Sequence, residues 1–287
     1  MKIILKIAAL AARFLPARAK AQLYRNPKLA SKIRNTLNAS APRGLTETWV
    51  AGGLIQGLLL NLDLQTEKDY WLGTYEIELQ TAIKKYCRPG MVIYDVGANI
   101  GYVSLIFAKQ VGEKGKVIAF EPLPENLQRL QKNITLNGLG SRIACVQAAV
   151  VDKPGSITFL VHSSGAMGKA QGSLGREEQY VAQITVPAVA LDDLIFLQNY
   201  PQPDLVKMDI EGGEVLAIQG MQKTLTEVQP ILLIEIHSRS ALDFLWTELQ
   251  NCGYQLFKME RDYPHITHPS TLGEKTYAVA IPKEKAG

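Results

Sequence analysis

Cysteine is scarce in this chain of 287 residues, which contains three. Cys87, Cys145 and Cys252 lie far apart, and no two of them form a Cys-x-x-Cys pair. An odd number of scattered cysteines argues against a disulfide framework and against a cysteine-based zinc site. This usage is typical of a cytoplasmic protein with reduced thiols, so we expect a cytoplasmic location.

Acidic residues are absent from the first 46 positions, which contain ten of the chain's 31 lysines and arginines. The other positions hold 21 basic residues and all 27 acidic ones, so the net charge of +4 originates in the leading segment. A mildly acidic body is a poor partner for a phosphate backbone. The charge pattern therefore argues against nucleic-acid binding by the main body.

The chain has no apolar run of about 20 residues, the length that a helix needs to cross a bilayer. Residues 1–15 instead predict a short amphipathic helix. Its apolar side chains recur at spacings of four, three and four, at Ile3, Ile7, Leu10 and Phe14. Lys6 interrupts the apolar character, which makes a poor secretory signal. We expect residues 1–40 either to lie on an anionic membrane surface or to pack on the protein's own body or on a second subunit.

The Gly-x-Gly-x-x-Gly fingerprint of dinucleotide-binding proteins is missing where it would be expected. An apolar strand that stops at Asp95 is followed by Gly97 and Gly101, with Asn99 in place of a middle glycine. A helix is predicted to begin near Gly101. A strand, a tight turn and a helix start form a nucleotide-sized site, because small residues admit a ligand and the helix terminus offers free N–H groups.

Two acids distinguish between the nucleotides that such a site could hold. A second strand ends at Glu121, where Pro122 blocks its continuation, and an acid there can accept hydrogen bonds from both hydroxyls of a ribose. Asp95 would repel a pyrophosphate and suits an ammonium group. A ligand with a ribose at one end and an ammonium at the other fits S-adenosylmethionine better than NAD.

Four motifs follow one another along the chain, at residues 95–101, 120–122, 207–212 and 235–237. Together they resemble the FkbM family of class I, S-adenosylmethionine-dependent methyltransferases, over about residues 73–237. The resemblance implies a doubly wound, mostly parallel α/β sheet of the Rossmann-like type. It also implies O-methylation of a hydroxyl on a sugar, a secondary metabolite or a lipid-like acceptor, and it places Tyr75 and Glu76 near the cofactor. For Glu76 itself, a charge that favours a helix N-terminus is the preferred interpretation.

Polar residues end two further strands of the predicted sheet. Side chains alternate along a strand, so Lys207, Asp209 and Glu211 are predicted to share one face of the fourth strand. Glu235 and His237 share a face of the fifth strand in the same way. Ligands of open α/β sheets bind beyond the carboxyl ends of the strands, where we expect these five residues to meet. Charged groups in apolar strands are costly unless they are paired or used, which indicates function.

Methyl transfer requires an aligned nucleophile and a group that removes its proton. We expect Asp209 or His237 to be the base and Glu211 to bind the substrate. Lys207 is expected either to orient a carboxylate or to form a structural ion pair. Asp209, Glu235 and His237 could instead hold a divalent metal, and their spacing does not separate these mechanisms.

These patterns predict three parts: a basic amphipathic helical arm at residues 1–45, a β-hairpin with a helix cap at 46–90, and an S-adenosylmethionine-binding domain at 91–287. Within them we expect a hairpin at 49–64, a third strand at 142–150 and an inserted hairpin at 156–187. Two alternatives are an NAD(P)-dependent oxidoreductase and a non-catalytic, membrane-associated protein that keeps the cofactor site. Asp95 argues against the first, and the polar residues at 207–211 and 237 argue against the second.

Overall fold

The computed structural model describes residues 3–14, 27–162, 168–174, 180–273 and 275–285 of the chain. Contacts between residues divide the chain into two compact units. The first comprises Met1–Gln80 and Lys132–Gly138, and the second comprises Thr81–Gln131 and Leu139–Gly287. The sequence predicted a domain boundary after residue 90, and the nearest boundary between the two units lies after Gln80. The side-chain amide of Gln80 donates hydrogen bonds to the carbonyl oxygens of Gly73 and Tyr75, which belong to the same unit.

The first unit begins with two helices, α1 (Ile3–Phe14) and α2 (Pro27–Ser40). The helix predicted at the start of the chain is confirmed. Leu5 is buried, whereas Ile7 and Leu10 are 62% and 61% exposed. Residues 15–26 of the predicted arm lie outside the described residues. Among the helices that the structure describes, none is long and apolar enough to cross a membrane.

A two-stranded antiparallel sheet follows, formed by β1 (Leu45–Trp49) and β2 (Leu59–Asp63), with Leu45 opposite Asp63. The predicted hairpin is confirmed, but its first strand lies earlier in the chain, because Gly53 and Gly57 adopt positive φ angles in the connection. Two helices come next, α3 (Lys68–Leu72) and α4 (Ile77–Tyr86).

The second unit alternates strands and helices along the chain. Its first elements are β3 (Val92–Val96), α5 (Tyr102–Val111), β4 (Lys116–Phe120), α6 (Pro124–Leu136), β5 (Ile143–Val146), β6 (Ala149–Val150), β7 (Gly155–His162), β8 (Gly168–Ala170) and β9 (Tyr180–Val189). There follow α7 (Leu191–Phe196), β10 (Leu205–Met208), α8 (Glu214–Gln219), a π-helical turn (Thr224–Val228), β11 (Ile231–Ile236), α9 (Arg239–Asn251), β12 (Tyr254–Lys258), a 3-10 turn (Pro269–Thr271), β13 (Thr276–Pro282) and a last 3-10 turn (Lys283–Lys285).

The main sheet of this unit has the strand order β12-β13-β11-β10-β3-β4-β5. Strands β11, β10, β3, β4 and β5 pair in parallel, and β13 runs antiparallel between β12 and β11. The doubly wound, mostly parallel fold predicted for this domain is confirmed. The chain proceeds from β3 toward one edge and later from β10 toward the other, so the strand order reverses between β3 and β10. Ligands of such sheets bind at this point, beyond the carboxyl ends of the strands.

A second sheet of the unit has the order β6-β9-β7-β8. Its β7 and β9 form the predicted inserted hairpin. The single third strand predicted at residues 142–150 is wrong, because β5 pairs with β4 in the main sheet and β6 pairs with β9 in the second one. The chain changes sheets at a tight turn, in which the N–H of Ala148 donates to the carbonyl oxygen of Val146.

Candidate active site

The turn after β3 is held against the neighbouring strand by main-chain hydrogen bonds. The N–H groups of Gly97 and Ala98 both donate to the carbonyl oxygen of Phe120, at 3.1 and 2.9 Å. Gly97, Asn99 and Gly101 adopt φ angles of 78°, 50° and 90°. Asparagine is among the few residues other than glycine that tolerate this region, which explains why Asn99 can stand where a glycine was expected.

The two glycines are required by contacts within the protein. A Cβ atom at Gly97 would lie 2.1 Å from the carbonyl oxygen of Asp209, and one at Gly101 would lie 2.4 Å from the Cδ1 atom of Leu130. The sequence predicted that small residues admit a ligand here. The structure adds a second reason, because the absence of a side chain at Gly97 lets the turn after β3 contact the segment after β10.

Glu121 ends β4 with a carboxylate that is 4% exposed. It accepts hydrogen bonds from the N–H groups of Asn99 and Leu123, at 2.8 and 2.9 Å, and from the side-chain amide of Asn126. Burial raises the pKa of Glu121, although these hydrogen bonds oppose the shift. A carboxylate can accept about four hydrogen bonds, so these three leave room for a ligand hydroxyl. Pro122 follows it and is also buried.

Asp95 is completely buried at the end of β3. Lys207 lies directly opposite it on β10, and the Lys207 ammonium is 3.2 Å from the Asp95 carboxylate. The hydroxyl of Ser104 donates a 2.5 Å hydrogen bond to the same carboxylate. Lys207 also donates to the carbonyl oxygen of Gly97, at 2.8 Å. The expectation that Lys207 pairs with a carboxylate is confirmed. The ammonium that Asp95 binds in this structure belongs to the protein, and a contact of Asp95 with a cofactor stays a prediction.

The imidazole of His237 lies among four carboxylates. Its Nδ1 atom is 3.0 Å from Glu214, and its Nε2 atom is 3.4, 3.5 and 3.6 Å from Glu235, Glu211 and Asp209. Lys207 approaches the outer oxygen of Asp209 at 4.0 Å. The five residues predicted to meet at the ends of β10 and β11 are therefore close together.

Asp209 and Glu211 lie close to His237, but strand alternation is not the reason for their position. β10 ends at Met208, so Asp209 and Glu211 lie in the turn that follows it. Glu211 and Gly212 adopt φ angles of 53° and 93° in this turn, and α8 begins two residues later at Glu214. A sequence pattern of period two cannot predict such a turn.

The charges in the cluster shift two pKa values in opposite directions. Burial would lower the pKa of His237, but the Glu214 and Glu235 carboxylates outweigh it and raise the pKa to about 10. Burial would raise the pKa of Glu235, but His237 and Lys275 outweigh it and lower the pKa to about 2. Near neutral pH, the His237 imidazole of this structure is thus protonated on both nitrogens and cannot accept a further proton.

Three residues of the site were not predicted from the sequence. Glu214 lies in the first turn of α8, a position that by sequence indicates a charge favouring the helix N-terminus. It does accept hydrogen bonds from the N–H groups of Ile210 and Gly212, but it also binds His237. Lys275 forms an ion pair with Glu235 from the segment before β13. Ser104 is an ordinary helix residue by its sequence context. Only Glu214 had a visible signal, as an acid three residues after Glu211.

Glu76 and Tyr75 belong to the first unit. Glu76 precedes α4 with a φ angle of 43°, and its carbonyl oxygen accepts a hydrogen bond from the N–H of Gln80. The ring of Tyr75 packs against that of Tyr70. Their contact with a cofactor stays a prediction.

A metal could be held by one group of side chains within the second unit. Ligand atoms of Asp209, Glu211 and His237 all lie within 4.8 Å of one another. The sequence suggested Glu235 in place of Glu211, but Glu235 is already bound by Lys275.

Comparison with known proteins gives a family match to the second unit. The family model described as the methyltransferase FkbM domain matches residues 95–256. The hexuronic acid methyltransferase AglP of Haloferax volcanii is 29% identical over 147 residues, which are 51% of this chain and 56% of AglP. The 2-O-methyltransferase NoeI of Sinorhizobium fredii is 29% identical over 156 residues, which are 50% of this chain and 62% of NoeI.

The chain therefore aligns with less than two thirds of the length of either relative. A crystal structure of methyltransferase FkbM from Methylobacillus flagellatus is similar with a TM-score of 0.46 and 20% sequence identity, over 77% of this chain and 56% of that one.

Proposed function

This chain belongs to the methyltransferase FkbM family, and from that premise we propose that it transfers a methyl group from S-adenosylmethionine to a hydroxyl oxygen of a small molecule. The resemblance seen in the four sequence motifs is confirmed by the family match. The observation that carries the proposal is the carboxylate of Glu121, held at the end of β4 beside the turn at residues 97–101.

Glu121 and this turn fit the cofactor. Glu121 retains capacity to accept a hydrogen bond from a ribose hydroxyl, and acids at this position of doubly wound sheets bind ribose. The main chain of the turn would lie along the nucleoside. When bound, S-adenosylmethionine supplies a methyl group on a positively charged sulfur, which is a good leaving group.

We assign removal of the acceptor proton to Asp209. The carboxylate of Asp209 is partly exposed, whereas the imidazole of His237 is buried and has a pKa raised to about 10. Of the two bases expected from the sequence, Asp209 is thus the one able to accept a proton at neutral pH. Lys207 holds the carbonyl oxygen of Gly97 and lies near Asp209, so it aligns the cofactor turn with the base.

A sugar with a free secondary hydroxyl is the acceptor class that we favour. The relatives AglP and NoeI are named for hexuronic acid and for 2-O methylation. The segment after β8 lies beside the polar cluster and is a candidate to contact such an acceptor, because the N–H of Leu174 donates a 3.0 Å hydrogen bond to the carbonyl oxygen of Gly212, next to Glu211. The mildly acidic body disfavours a nucleic-acid acceptor.

Transfer of labelled methyl groups to a panel of acceptors tests this proposal. The panel contains a hexuronic acid glycoside, a neutral hexoside and a non-sugar secondary alcohol. We expect label on a sugar hydroxyl, and Asp209→Asn should lower kcat by about 10²–10⁴, the usual contribution of a general base. Asp243→Asn is the matched control, since Asp243 only pairs with Arg239 on the surface of α9.

Three outcomes would contradict all or part of the proposal. Label on none of the acceptors, together with hydride transfer to or from NAD(P), would favour an oxidoreductase. Full turnover by Asp209→Asn would leave methyl transfer standing and remove the role given to Asp209. Binding of the cofactor without transfer to any acceptor would favour the non-catalytic alternative.

We also propose that residues 1–40 hold the protein on an anionic, cytoplasmic membrane surface. On α1, the apolar side chains of Ile4, Ile7 and Leu10 are exposed. The first 46 residues carry ten basic side chains and no acidic one. A helix with exposed apolar residues in a basic segment is suited to the interface of a membrane that contains anionic lipids.

Flotation with vesicles distinguishes this membrane contact from self-association. We expect the protein to float with phosphatidylglycerol vesicles and not with phosphatidylcholine vesicles, and to be released by high salt. Ile7→Ser with Leu10→Ser should reduce the bound fraction at least tenfold, because each exposed side chain adds about 1.5–3 kcal/mol when buried. Leu197→Ser is the control, since Leu197 is as exposed but lies after α7. Equal flotation of all variants, or a dimer that Ile7→Ser with Leu10→Ser dissociates, would overturn the membrane proposal.

A further inference from the structure

The Nε2 atom of His237 points at three carboxylate oxygens at nearly equal distances. They belong to Glu235, Glu211 and Asp209, at 3.4, 3.5 and 3.6 Å. A good N–H···O hydrogen bond is about 2.7–3.2 Å long. All three distances are longer than this range.

These separations are slightly longer than those between ligands of one metal ion. Nitrogen and carboxylate ligands lie about 2.1 Å from a small divalent cation, so neighbouring ligand atoms stand roughly 3.0–3.4 Å apart at octahedral or tetrahedral angles. The ligand atoms of Asp209, Glu211 and His237 lie within 4.8 Å of one another, which small rotations of the two partly exposed carboxylates would reduce.

The other nitrogen of His237 gives an independent indication of a metal ligand. The imidazole is 3% exposed, and its Nδ1 atom is 3.0 Å from Glu214, which is completely buried. Glu214 is itself fixed by the N–H groups of Ile210 and Gly212, at 3.2 and 3.3 Å. Metal-binding histidines almost always use their second nitrogen in this way, because the carboxylate fixes the ring and directs the free nitrogen at the ion.

The charges near His237 also favour a cation. Five carboxylates lie in this region, and two lysines accompany them: Lys207 pairs with Asp95, and Lys275 pairs with Glu235. Lys207 also lies 4.0 Å from Asp209, which faces His237 together with Glu211 from the turn after β10. A divalent cation between them would offset the excess negative charge.

We propose that Asp209, Glu211 and His237 bind one divalent cation, which takes the place of the proton on the Nε2 atom of His237, and that Glu214 is a positioning residue for His237. A mixture of imidazole and carboxylate ligands suits Mn²⁺ or a related transition ion. Glu235 stays with Lys275 at the edge of the site.

The role of the ion rests on the proposed methyl transfer. An acceptor hydroxyl bound to the cation would have a lower pKa and would lose its proton more readily. Asp209 could serve both purposes, because its Oδ1 atom faces His237 and its Oδ2 atom faces Lys207. The proton passes from the hydroxyl to Oδ2, the oxygen–methyl bond forms, and the sulfur–methyl bond breaks with its electron pair left on sulfur.

Titration with Mn²⁺ after removal of metals by a chelator tests the site without any need for turnover. The signal of free Mn²⁺ in electron paramagnetic resonance measures the unbound ion. We expect one saturable site in the full chain. Asp209→Asn and His237→Gln should weaken binding at least tenfold, and Glu214→Gln about 10–100-fold, the usual effect of removing a carboxylate behind a ligand histidine. Glu113→Gln is the control, because the Glu113 side chain is 91% exposed and the residue is far in sequence from Asp209, Glu211 and His237.

Binding of S-adenosylhomocysteine to each variant shows that it folds and separates this inference from the proposed function. If S-adenosylhomocysteine binds and Mn²⁺ does not, the metal site is overturned and the methyltransferase proposal stands. The same conclusion follows if Asp209→Asn and His237→Gln bind Mn²⁺ as tightly as the unmodified chain. If Mn²⁺ binds at this site and S-adenosylhomocysteine does not, the proposed function fails and the metal site stands.

Discussion

The space beside the α-carbon of Gly97 is filled by the carbonyl oxygen of Asp209, so one glycine joins the cofactor turn to the polar cluster. We expect Gly97→Ala to reduce the free energy of unfolding by about 2–5 kcal/mol. A side chain at a φ angle of 78° costs about 1–2 kcal/mol, and crowding of packed atoms adds about 1–3 kcal/mol. Urea unfolding measures the change.

Gly253→Ala is the control for this substitution. Gly253 has nearly the same φ angle, 81°, but a Cβ atom there would have no neighbour within 4 Å. We expect Gly253→Ala to reduce the free energy of unfolding only by the cost of a side chain at a positive φ angle, about 1–2 kcal/mol. Equal losses for the two variants would show that the contact with Asp209 does not require a glycine.

The buried ion pair between Asp95 and Lys207 leads to a second prediction at the level of single residues. Lys207→Met should reduce the free energy of unfolding by about 3–5 kcal/mol, because it leaves a buried carboxylate without its cation. Asp95→Asn combined with Lys207→Met should recover part of this loss. If the double variant is less stable than Lys207→Met alone in urea unfolding, the pair is not the reason for the loss.

Individual residues of the site could be predicted where an acid or a lysine interrupts an apolar strand. Asp95, Lys207, Glu121 and Glu235 were found in this way, since charged groups in such positions need a partner or a use. Which partner each one has could not be predicted, because Lys275 and Ser104 reach the site from distant segments of the chain. Glu214 could not be recognised as a residue of the site, since its first-turn position already explains an acid there.

At the level of elements, the edge of β2 is completed by a helix within the first unit. The N–H of Asn61 donates to the side-chain oxygen of Asn133, at 2.7 Å, and the N–H of Leu59 donates to that of Asn137, at 2.9 Å. The side-chain amide of Asn137 donates in return to the carbonyl oxygen of Leu59. Asparagines spaced four apart at the end of α6 thus bond to an edge strand as a neighbouring strand would.

These hydrogen bonds predict a local loss of stability. Asn133→Ala leaves the N–H of Asn61 buried without its acceptor, which should cost about 1–3 kcal/mol. Amide hydrogen exchange should speed up in β2 more than in β3. Gln128→Ala, on the exposed side of α6, is the control and should leave both strands unchanged. Faster exchange that is equal in β2 and β3 would contradict this explanation.

The parallel strands β3, β4, β10 and β11 were predictable because each is mostly apolar, as strands buried on both faces are, and has a charged residue at or near its carboxyl end. The third strand was misassigned because residues 142–150 are apolar on both sides of the turn at Ala148. An apolar run carries no information about a change of sheet. The turn at Glu211 escaped prediction for a similar reason, since positive φ angles at a glutamate are uncommon and leave no mark in the sequence.

At the level of the whole molecule, the basic leading segment and the proposed cofactor site lie in different units of the chain. The basic residues concentrate in the leading part of the first unit, while the second unit carries the cofactor turn and the polar cluster. Composition could predict this separation of charge, and the motifs could predict the family. The break between the units after Gln80 could not be predicted, because it lies inside α4, where no glycine or proline marks it.

Calorimetric titration with S-adenosylhomocysteine tests the central claim most directly. We predict saturable binding to the full chain and none of NAD. Glu121→Gln should weaken that binding about 10–100-fold, because hydrogen bonds to a charged acceptor are worth about 1.5–3 kcal/mol. Glu125→Gln, four residues along and exposed, should bind as tightly as the unmodified chain. Binding of NAD in place of S-adenosylhomocysteine, or equal affinity in Glu121→Gln, would contradict the cofactor site assigned to the ends of β3 and β4.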